Sequence, residues 1–398
     1  MDALSKLRSI DEYMVTEVTG EKLYTPETQT GCPLDAKASA EAAYRRLVSL
    51  PVHYAVMPNG KFISLLKTAL TTGCERNCTY CAFRSGRDFR RQTFSPDELA
   101  KVFMQMYRAG VVQGLFLSSG VAGGGCRTQD RLLDTAEILR GRYAFRGYMH
   151  LKIMPGAQKA QVERGMQLAD RVSVNLEAPT DARLHRLAPQ KQFLTELLQP
   201  LKWVEEIRRD RPGWEGWNGH WPSSTTQFVV GAIDETDMEL LQITHFLHRN
   251  LKLSRVYFSG FSPISDTPLE GHPAVDPLRE VRLYQASFLL RDYGFDFEEM
   301  DFSQKGNLRL DVDPKLAWAQ VNLAGQPVEV NTAEKQQLLR VPGIGPVLAE
   351  RILAERRVGR ITSVASLKKM GVSLQRAAPF ILVDGFQPPR QMELPLGW

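Results

Sequence analysis

Residues 62–84 read FISLLKTALTTGCERNCTYCAFR, an apolar run that leads directly into three closely spaced cysteines. The run is rich in apolar and β-branched side chains, which predicts a buried strand. Five further runs of this kind lie at residues 114–120, 148–156, 171–178, 226–233 and 255–261. Amphipathic stretches between them predict helices at residues 95–110, 127–143, 157–170, 190–210 and 235–250. Because six strands alternate with helices, we expect an α/β protein whose parallel sheet curls into a partial (β/α)6 barrel.

The carboxyl ends of these predicted strands carry the unusual residues of the chain. In barrels of parallel strands, ligand sites form at that edge. The residues concerned are Cys74 after the first run, Ser118, Ser119 and Gly120 after the second, and Asn175 and Glu177 in the fourth. Alternation along a strand directs Asn175 and Glu177 to the same face. The sequence therefore predicts one ligand site at this edge of the barrel.

The composition is that of a globular protein, since 43% of the 398 residues are hydrophobic and 24% are charged. No uncharged apolar stretch reaches the roughly 18 residues of a membrane helix. The N-terminus lacks the basic-then-apolar layout of a secretory signal. We therefore expect a soluble cytoplasmic protein with no membrane partner.

The cysteines favour a metal site over a disulfide framework. Cys74, Cys78 and Cys81 have CxxxCxxC spacing, whereas Cys32 and Cys126 stand alone as ordinary thiols. Soft thiolates select iron-sulfur clusters, zinc or copper(I). Electron-transfer clusters and structural zinc sites normally take four protein ligands, so three cysteines on a cubane leave one iron open to a chelating molecule. The alternative is a zinc ion completed by Cys32, Cys126 or a histidine.

The segment resembles the radical S-adenosylmethionine (SAM) superfamily, because an aromatic residue, Tyr80, precedes the last cysteine at the end of the first barrel strand. The resemblance extends over residues 50–320. It implies that Cys74, Cys78 and Cys81 hold a [4Fe-4S] cluster whose fourth iron is chelated by the amino and carboxylate groups of SAM. It also implies that an electron from an external donor such as flavodoxin or ferredoxin cleaves SAM. The resulting 5′-deoxyadenosyl radical abstracts hydrogen from a substrate.

The same resemblance assigns further residues to SAM. Tyr80 matches the aromatic position whose backbone faces the adenine. Ser118, Ser119 and Gly120 stand where the family often has Gly-Gly-Glu to bind the methionine amino group. Because the glutamate is missing, backbone carbonyls and hydroxyls have to accept those hydrogen bonds.

Two later positions complete the assignment to SAM. Asn175 and Glu177 resemble the ribose-binding strand of the biotin synthase and lipoyl synthase branch. The alternative is that Glu177 caps the strand or pairs with an arginine. Gly231, after the fifth run, stands where the family usually has a backbone contact with the adenine.

A group of arginines follows Cys81, comprising Arg84, Arg87, Arg90 and Arg91. Such a run of charge is either a solvated surface or a site for a phosphate-bearing substrate. The second interpretation is favoured by the position beside the barrel mouth, since the guanidinium fork matches phosphate oxygens.

Residues 330–360, VNTAEKQQLLRVPGIGPVLAERILAERRVGR, predict two helices joined by a tight turn. Gly343, Ile344 and Gly345 in that turn direct backbone N–H groups outward at a helix N-terminus, which favours anion binding. The turn resembles the helix-hairpin-helix motif, which binds DNA phosphates without reading sequence. A degenerate second copy follows at residues 366–382. The alternative is a hairpin used only for packing or protein contact.

Positive charge surrounds the predicted turn. Residues 326–390 contain ten Lys and Arg against five Asp and Glu, which accounts for the net charge of +5. The arginines that flank the turn are Arg340, Arg351, Arg356 and Arg357. A basic tail on a neutral body indicates a polyanion partner such as nucleic acid.

These features divide the chain into four predicted segments. They are a helical extension at 1–50, a radical SAM partial TIM-like barrel at 51–325, an all-α helix-hairpin-helix DNA-binding domain at 326–388 and an extended tail at 389–398. Residues 295–325 are expected to be connecting structure. In the tail, Gln391–Leu396 resembles the Gln-led, Leu-rich peptides that dock on bacterial sliding clamps.

The combination resembles bacterial radical SAM proteins of DNA modification or repair. The first hypothesis is therefore hydrogen abstraction from a nucleotide in DNA, and a duplex base has to be flipped out or unpaired to react. The second hypothesis is the same chemistry on RNA such as a transfer RNA. The third is a DNA-binding protein with a structural cluster and no enzymatic activity.

Overall fold

The structure is a computed structural model that describes residues 2–11, 13–14, 52–56 and 62–389. Two predictions concern residues outside this range, namely the thiol of Cys32 and the clamp-like peptide Gln391–Leu396. Of the predicted N-terminal extension, the structure describes one helix, α1 (Ala3–Asp11), and a short turn at residues 13–14.

Seven strands form one curled sheet whose spatial order follows the chain. They are β1 (Val52–Val56), β2 (Phe62–Ala69), β3 (Gly114–Ser118), β4 (Tyr148–Lys152), β5 (Arg171–Ser173), β6 (Ser223–Val230) and β7 (Arg255–Gly260). Strands β2 to β7 are parallel neighbours and correspond to the six predicted runs. β1 is an addition that pairs antiparallel with β2. The predicted partial (β/α)6 barrel is thus confirmed, with one extra strand at its first edge.

Helices connect the parallel strands. They are α2 (Pro96–Arg108), α3 (Gly125–Glu137), α4 (Lys159–Leu168), α5 (Asp181–Leu187), α6 (Gln199–Asp210) and α7 (Asp237–Asn250). π-helical turns extend α3 (Ile138–Arg142) and precede α6 (Phe193–Leu198). All except α5 coincide with predicted amphipathic stretches. Within the described part of the chain, no helix is both long and apolar enough to cross a membrane.

Helix α1 packs against β2 and α2. The Ser95 hydroxyl caps α2 by accepting a hydrogen bond from Glu98 N–H at 3.1 Å. The Glu98 carboxylate in turn pairs with Lys6 of α1 at 2.7 Å. The start of the first barrel helix is therefore fixed both locally and by the N-terminal helix.

The described chain divides into two compact units. One comprises Met1–Glu235 and Phe246–Asp276, and the other comprises Thr236–His245 and Pro277–Trp398. The sheet lies in the first unit. The predicted domain boundary at residue 325 stays a prediction; the two compact units separate at other positions along the chain.

The second unit is mainly helical. Its further elements are α8 (Pro277–Asp292), α9 (Pro314–Asn322), α10 (Lys335–Arg340), α11 (Pro346–Val358), α12 (Val364–Met370), α13 (Leu374–Ala377) and the paired strands β8 (Val328–Glu329) and β9 (Ile381–Leu382). Buried side chains from α9 to β9 form its apolar core.

Residues 295–325 are more than the connecting structure that the weak periodicity predicts. Helix α9 begins after Asp313, whose carboxylate accepts a hydrogen bond from Leu316 N–H at 3.0 Å. The helix and the residue that follows it bury Ala319 and Leu323 in the core of the helical unit. An Asp followed by Pro is a helix-start signal, but a helix of nine residues gives too short a periodic pattern to be recognised with assurance.

Candidate cluster site and nucleic-acid interface

The cysteine loop leaves the carboxyl end of β2 at Leu70 and returns at Phe94. Its two ends are hydrogen-bonded together, because Phe94 N–H donates to the Leu70 carbonyl and Thr72 N–H donates to the Gln92 carbonyl, both at 2.9 Å. The loop is therefore closed at its base, so the cysteines between these residues project from one anchored point of the barrel edge.

The three thiols line one cavity of about 790 Å³, including its open mouth. Cys78 is buried, and Cys74 and Cys81 are partly exposed. The predicted SAM-binding residues that line the same cavity are Tyr80, Ser118, Ser119, Gly120, Asn175 and Glu177. Loops after β2, β3 and β5 thus bring nine of the predicted residues together.

The last residue of α5 and the segment after this helix hold the cysteine loop in place. Thr79 N–H donates to the Leu187 carbonyl at 2.8 Å, and Arg76 donates to Glu196 Oε1 at 2.6 Å. Lys191 of this segment lines the cavity. Sequence reasoning missed Lys191, because its distance along the chain from the cysteines hides a contact that only folding creates.

Glu177 and Lys191 form a buried ion pair, with Lys191 Nζ 2.8 Å from Glu177 Oε1. The two side chains are only 4% and 10% exposed. Glu177 and Asn175 line the same cavity, but the predicted strand alternation is not the reason, since β5 ends at Ser173 and Glu177 has a φ of +65°. The partner of Glu177 is a lysine, not an arginine. Glu177 Oε2 has no hydrogen-bond partner among the described residues, so one buried acceptor is available to a ligand.

Gly120 allows the cysteine loop to touch the loop after β3. A Cβ atom at this position would lie 2.3 Å from the Gly73 carbonyl oxygen and 3.1 Å from Cys74 Cβ. Gly120 N–H donates to the Thr71 carbonyl at 2.7 Å. The Ser119 hydroxyl donates to the Gly120 carbonyl at 2.8 Å, but its oxygen keeps its acceptor lone pairs. This crowding explains why a glycine stands here.

Gly231 is not among the described residues that line the cavity. Its backbone has a φ of +87°, and its N–H group donates to Glu235 Oε1 at 2.5 Å. That N–H group is engaged within the protein, so this position does not join the other predicted SAM residues. The strained turn after β6 explains the glycine without a ligand.

The cavity fits an iron-sulfur cluster with an open iron. Burial raises the pKa of the Cys78 and Cys81 thiols, so the protein alone favours neutral thiols and a bound metal centre reverses that preference. Soft sulfur is the ligand that such clusters take. In the part of the chain that the structure describes, no three His, Cys, Asp or Glu side chains are grouped closely enough to hold a single metal ion, so the fit to a cluster rests on the shared cavity of the three thiols and on their soft sulfur atoms.

Arg87 and Arg91 brace the cysteine loop. Arg91 donates to the carbonyls of Thr72 and Phe83 at 2.8 and 2.7 Å, and Arg87 donates to the Ala82 carbonyl at 3.1 Å. The predicted phosphate site after Cys81 therefore lacks these two guanidinium groups, which are engaged by backbone oxygens.

A turn near the N-terminus also reaches the cavity, which Tyr13 and Met14 line. The Tyr13 ring lies 4.8 Å from the Phe89 ring, and the Arg87 guanidinium lies 5.4 Å from Tyr13. Sequence reasoning missed both residues, because nothing in their local pattern marks them as part of a site.

In the helical unit, Gly343, Ile344 and Gly345 join α10 to α11 as predicted. Gly343 has a φ of +84°, a left-handed conformation that favours glycine. Gly345 is the N-cap residue of α11, and Pro346 follows at the first helical position. The first N–H groups of a helix have no partner within the helix, and they form a natural site for phosphate.

The predicted second hairpin is also present. Gly371, with a φ of +100°, ends α12, and the chain then turns through Ser373 into α13. A Cβ atom on Gly343 would lie 3.1 Å from the Ser373 carbonyl oxygen, so the two turns lie side by side. Lys368 and Lys369 near the second turn are exposed.

Arg340 is packed inside the helical unit. Its guanidinium lies 3.8 Å from the Phe295 ring and pairs with the Glu299 carboxylate at 2.7 Å. It also donates to the Gly294 carbonyl at 3.1 Å. These contacts give Arg340 a structural role, in contrast with the predicted phosphate contact.

The other three predicted arginines differ from one another in how far they are exposed to solvent. Arg356 donates to the carbonyls of Val330 and Ala333 at 3.2 and 2.6 Å and is partly buried. Arg351 is exposed although it donates to the Met370 carbonyl at 3.2 Å, and Arg357 is exposed. Of the four, the latter two are therefore the ones that a phosphate can reach.

A sequence model of the radical SAM superfamily matches residues 68–247, and a model of the helix-hairpin-helix motif matches residues 324–372. The first match contains the cysteine loop and its cavity, and the second contains the turn between α10 and α11. The chain thus contains a radical SAM domain and, in its C-terminal part, a helix-hairpin-helix motif, as the resemblance implies.

The threonylcarbamoyladenosine tRNA methylthiotransferase MtaB of Thermotoga maritima is 26% identical over 201 residues, which are 49% of this chain and 43% of that protein. The chain thus spans less than half the length of this curated relative. Methylornithine synthase (PylB) is similar in structure with a TM-score of 0.45 and 14% identity, over 57% of this chain and 61% of that one. The FeFe-hydrogenase maturase HydG of Carboxydothermus hydrogenoformans has a TM-score of 0.46 and 14% identity, over 57% and 51%.

Proposed function

We propose that this protein is a radical SAM enzyme that modifies a nucleic acid. The observation that supports it most is that three cysteines and the candidate SAM-binding residues line one cavity in a chain that also carries a helix-hairpin-helix motif. A structural cluster in a non-enzymatic DNA-binding protein does not explain that cavity, since such a cluster needs no ligand pocket beside it.

The cavity residues have distinct tasks in this proposal. Cys74, Cys78 and Cys81 hold three irons of a [4Fe-4S] cluster. When bound, the reduced cluster and SAM supply a 5′-deoxyadenosyl radical that removes a hydrogen atom from the substrate. The free oxygen of Glu177 accepts a hydrogen bond from a ribose hydroxyl, and the Asn175 amide donates to or accepts from the other ribose hydroxyl.

Charged and polar groups around the cavity are arranged to receive SAM. Lys191 fixes the Glu177 carboxylate, so its free oxygen is held ready and no side-chain rotamer has to be frozen on binding. Burial, with the nearby Glu177 carboxylate, raises the pKa of Tyr80 well above its usual value, so this phenol stays protonated. The close contact at Gly120 sets the backbone carbonyls after β3 beside the cysteine loop, where they accept hydrogen bonds from the SAM amino group.

RNA is the first candidate substrate, and a transfer RNA is the first candidate among RNAs. This part of the proposal rests on the similarity to the tRNA methylthiotransferase over half of this chain. The sequence led us to expect a DNA-modification or repair enzyme, but the comparisons do not support DNA repair, so RNA now precedes DNA as a candidate.

DNA remains the second candidate because of one specific observation. The turns at Gly343 and Gly371 lie side by side, which suits phosphate groups of a regular duplex. Phosphate contacts do not identify the reacting base, so they leave the choice of nucleic acid to the barrel.

The experiment uses reconstituted full-length protein and SAM under anaerobic conditions. Transfer RNA and genomic DNA are prepared from one strain that lacks the gene and is grown in deuterated medium. We expect deuterium to enter 5′-deoxyadenosine with the transfer RNA and not with the DNA at equal nucleotide concentration. Transfer from DNA alone would reverse the order of the candidates, and transfer from neither would contradict the proposed function.

A further inference from the structure

Lys315, on α9, contacts the helix-hairpin-helix turn although it precedes the matched motif in sequence. Its Nζ atom donates to the Ile344 carbonyl at 2.5 Å and lies 4.6 Å from the centre of the Tyr293 ring. Lys315 is 8% exposed. A buried ammonium group therefore holds the middle peptide of the turn from its inner side.

This contact fixes the direction of the next N–H group. In a trans peptide, the C=O and N–H groups of one plane point in opposite directions. The Ile344 carbonyl points toward Lys315, so the N–H of Gly345 in the same plane points away from it. A cation on the carbonyl also polarises the peptide and makes that N–H a stronger donor to an anion.

The turn has little freedom to choose another orientation. A Cβ atom on Gly345 would lie 3.1 Å from the Tyr293 hydroxyl oxygen. On the other side of the turn, Gly343 packs against Ser373 as described above. The peptide between Ile344 and Gly345 is thus confined between the end of α8 and the second hairpin. The charge of Lys315 is then what can still change how strongly this peptide binds an anion.

The charged groups around Lys315 leave its own charge uncompensated. Arg376 from α13 pairs with Asp313, the N-cap residue of α9, at 2.5 Å. Arg340 from α10 contributes a further positive charge, and Tyr293 at the end of α8 presents a neutral ring. Burial, and then the repulsion from Arg376, lowers the pKa of Lys315 to about 7, against the smaller opposing effect of Asp313.

We propose that Lys315 is a positioning residue for phosphate binding at the Gly343–Gly345 turn, and that binding of nucleic acid is linked to its protonation. This inference rests on the proposed function, since it requires that the motif binds nucleic acid. Phosphate near Gly345 favours the ammonium form, so at pH values above about 7, where Lys315 of the free protein is mostly neutral, binding is accompanied by uptake of a proton. Affinity therefore falls from acid to alkaline pH.

The test measures the binding of a fluorescently labelled transfer RNA and, separately, of a labelled DNA duplex by anisotropy, with the reconstituted protein at constant salt. Between about pH 6 and about pH 8.5 we expect the affinity of the unaltered protein to fall by about threefold to thirtyfold, as linkage to one group near pH 7 allows. Lys315→Met should bind more weakly at pH 6 and show a flat profile. Lys315→Arg, which stays protonated, should retain the affinity at pH 6 and lose the pH dependence.

The matched control is Lys335→Met in the same unit, where an exposed lysine pairs with Glu350. It should keep the pH slope of the unaltered protein. A slope that persists in both Lys315 variants, or a flat profile for the unaltered protein, would overturn the inference. Absence of any binding at pH 6 by the unaltered protein would instead count against the proposed function. Thermal unfolding of each variant verifies the fold. Where a variant does not fold, the pH profile of affinity of the unaltered protein is the deciding measurement.

Discussion

Lys191 in the barrel unit and Lys315 in the helical unit are both almost buried, yet their environments shift their pKa values in opposite directions. Lys191 contacts a carboxylate, that of Glu177, at 2.8 Å, whereas Lys315 contacts a backbone carbonyl, that of Ile344, at 2.5 Å. Burial acts to lower the pKa of both. At Lys191 the Cys78 sulfur, when it is a thiolate, and the Glu177 carboxylate outweigh burial and raise the pKa, while at Lys315 the pKa falls to about 7.

The difference indicates what each region is built to do. A lysine paired with a carboxylate stays charged and holds that carboxylate in one place, as a cavity for a small ligand needs. A lysine on a neutral carbonyl loses its proton more readily, and when it is protonated no neighbour cancels its charge, so an approaching polyanion can favour the charged form. The group that each lysine contacts, and not the depth of its burial, therefore decides which of these two roles it has.

The largest expected effect separates the chemistry of the two regions. Cys78→Ala should abolish iron retention and SAM cleavage, because two thiols no longer hold the cluster, and should change nucleic-acid affinity by less than about twofold. Iron and sulfide content, 5′-deoxyadenosine formation and oligonucleotide binding measure these outcomes. Cys126→Ala, a thiol that does not line the cavity, is the control that should retain the cluster. Equal loss of binding and cleavage in Cys78→Ala would contradict the separation.

The next effect compares the two lysines as structural elements. Lys191→Met should lower the free energy of unfolding by about 3 kcal/mol, because it leaves the Glu177 carboxylate buried without its partner. Adding Glu177→Gln should recover most of that loss. Lys315→Met should cost about 1 kcal/mol or less at neutral pH, since it leaves only a neutral carbonyl unpaired. Urea denaturation of the apoprotein measures all three.

The pH dependence of unfolding sharpens the same comparison. The folded state lowers the pKa of Lys315 to about 7, so the unfolded chain binds the proton more tightly between that pH and the ordinary lysine value of 10.5. The contribution of Lys315 to stability therefore rises with pH across this window. Lys315→Met should remove that rise, and an unchanged slope would show that other groups produce it.

The smallest effect concerns two arginines near the glycine turn. Arg340→Ala should lower the free energy of unfolding by about 2 kcal/mol, because it removes a desolvated cation from an aromatic ring and from Glu299, and should leave the salt dependence of binding unchanged. Arg357→Ala should leave stability unchanged and reduce the slope of log affinity against log salt by about 1. The reverse pattern would return Arg340 to the phosphate-binding surface.

Much of the architecture follows from local sequence. Each of the six parallel strands is an apolar run bounded by turn residues, so its position is written in a window of a few residues. Helix α5, strand β1 and helix α9 escape prediction because each is short and lacks a long periodic pattern. The cysteine motif and the glycine turn are recognisable for a different reason, since their chemistry requires particular residues at fixed spacing.

What the sequence alone determines about this protein is the order of strands and helices, the close spacing of the three thiols and the glycine turn between two helices. Only the tertiary structure decides that Lys191 pairs with Glu177, that Arg340 is buried against Phe295 and that Lys315 holds the Ile344 carbonyl. The physical reason is that spacing and periodicity act over a few residues, whereas the charge state and partner of a buried side chain depend on segments that meet only when the chain folds.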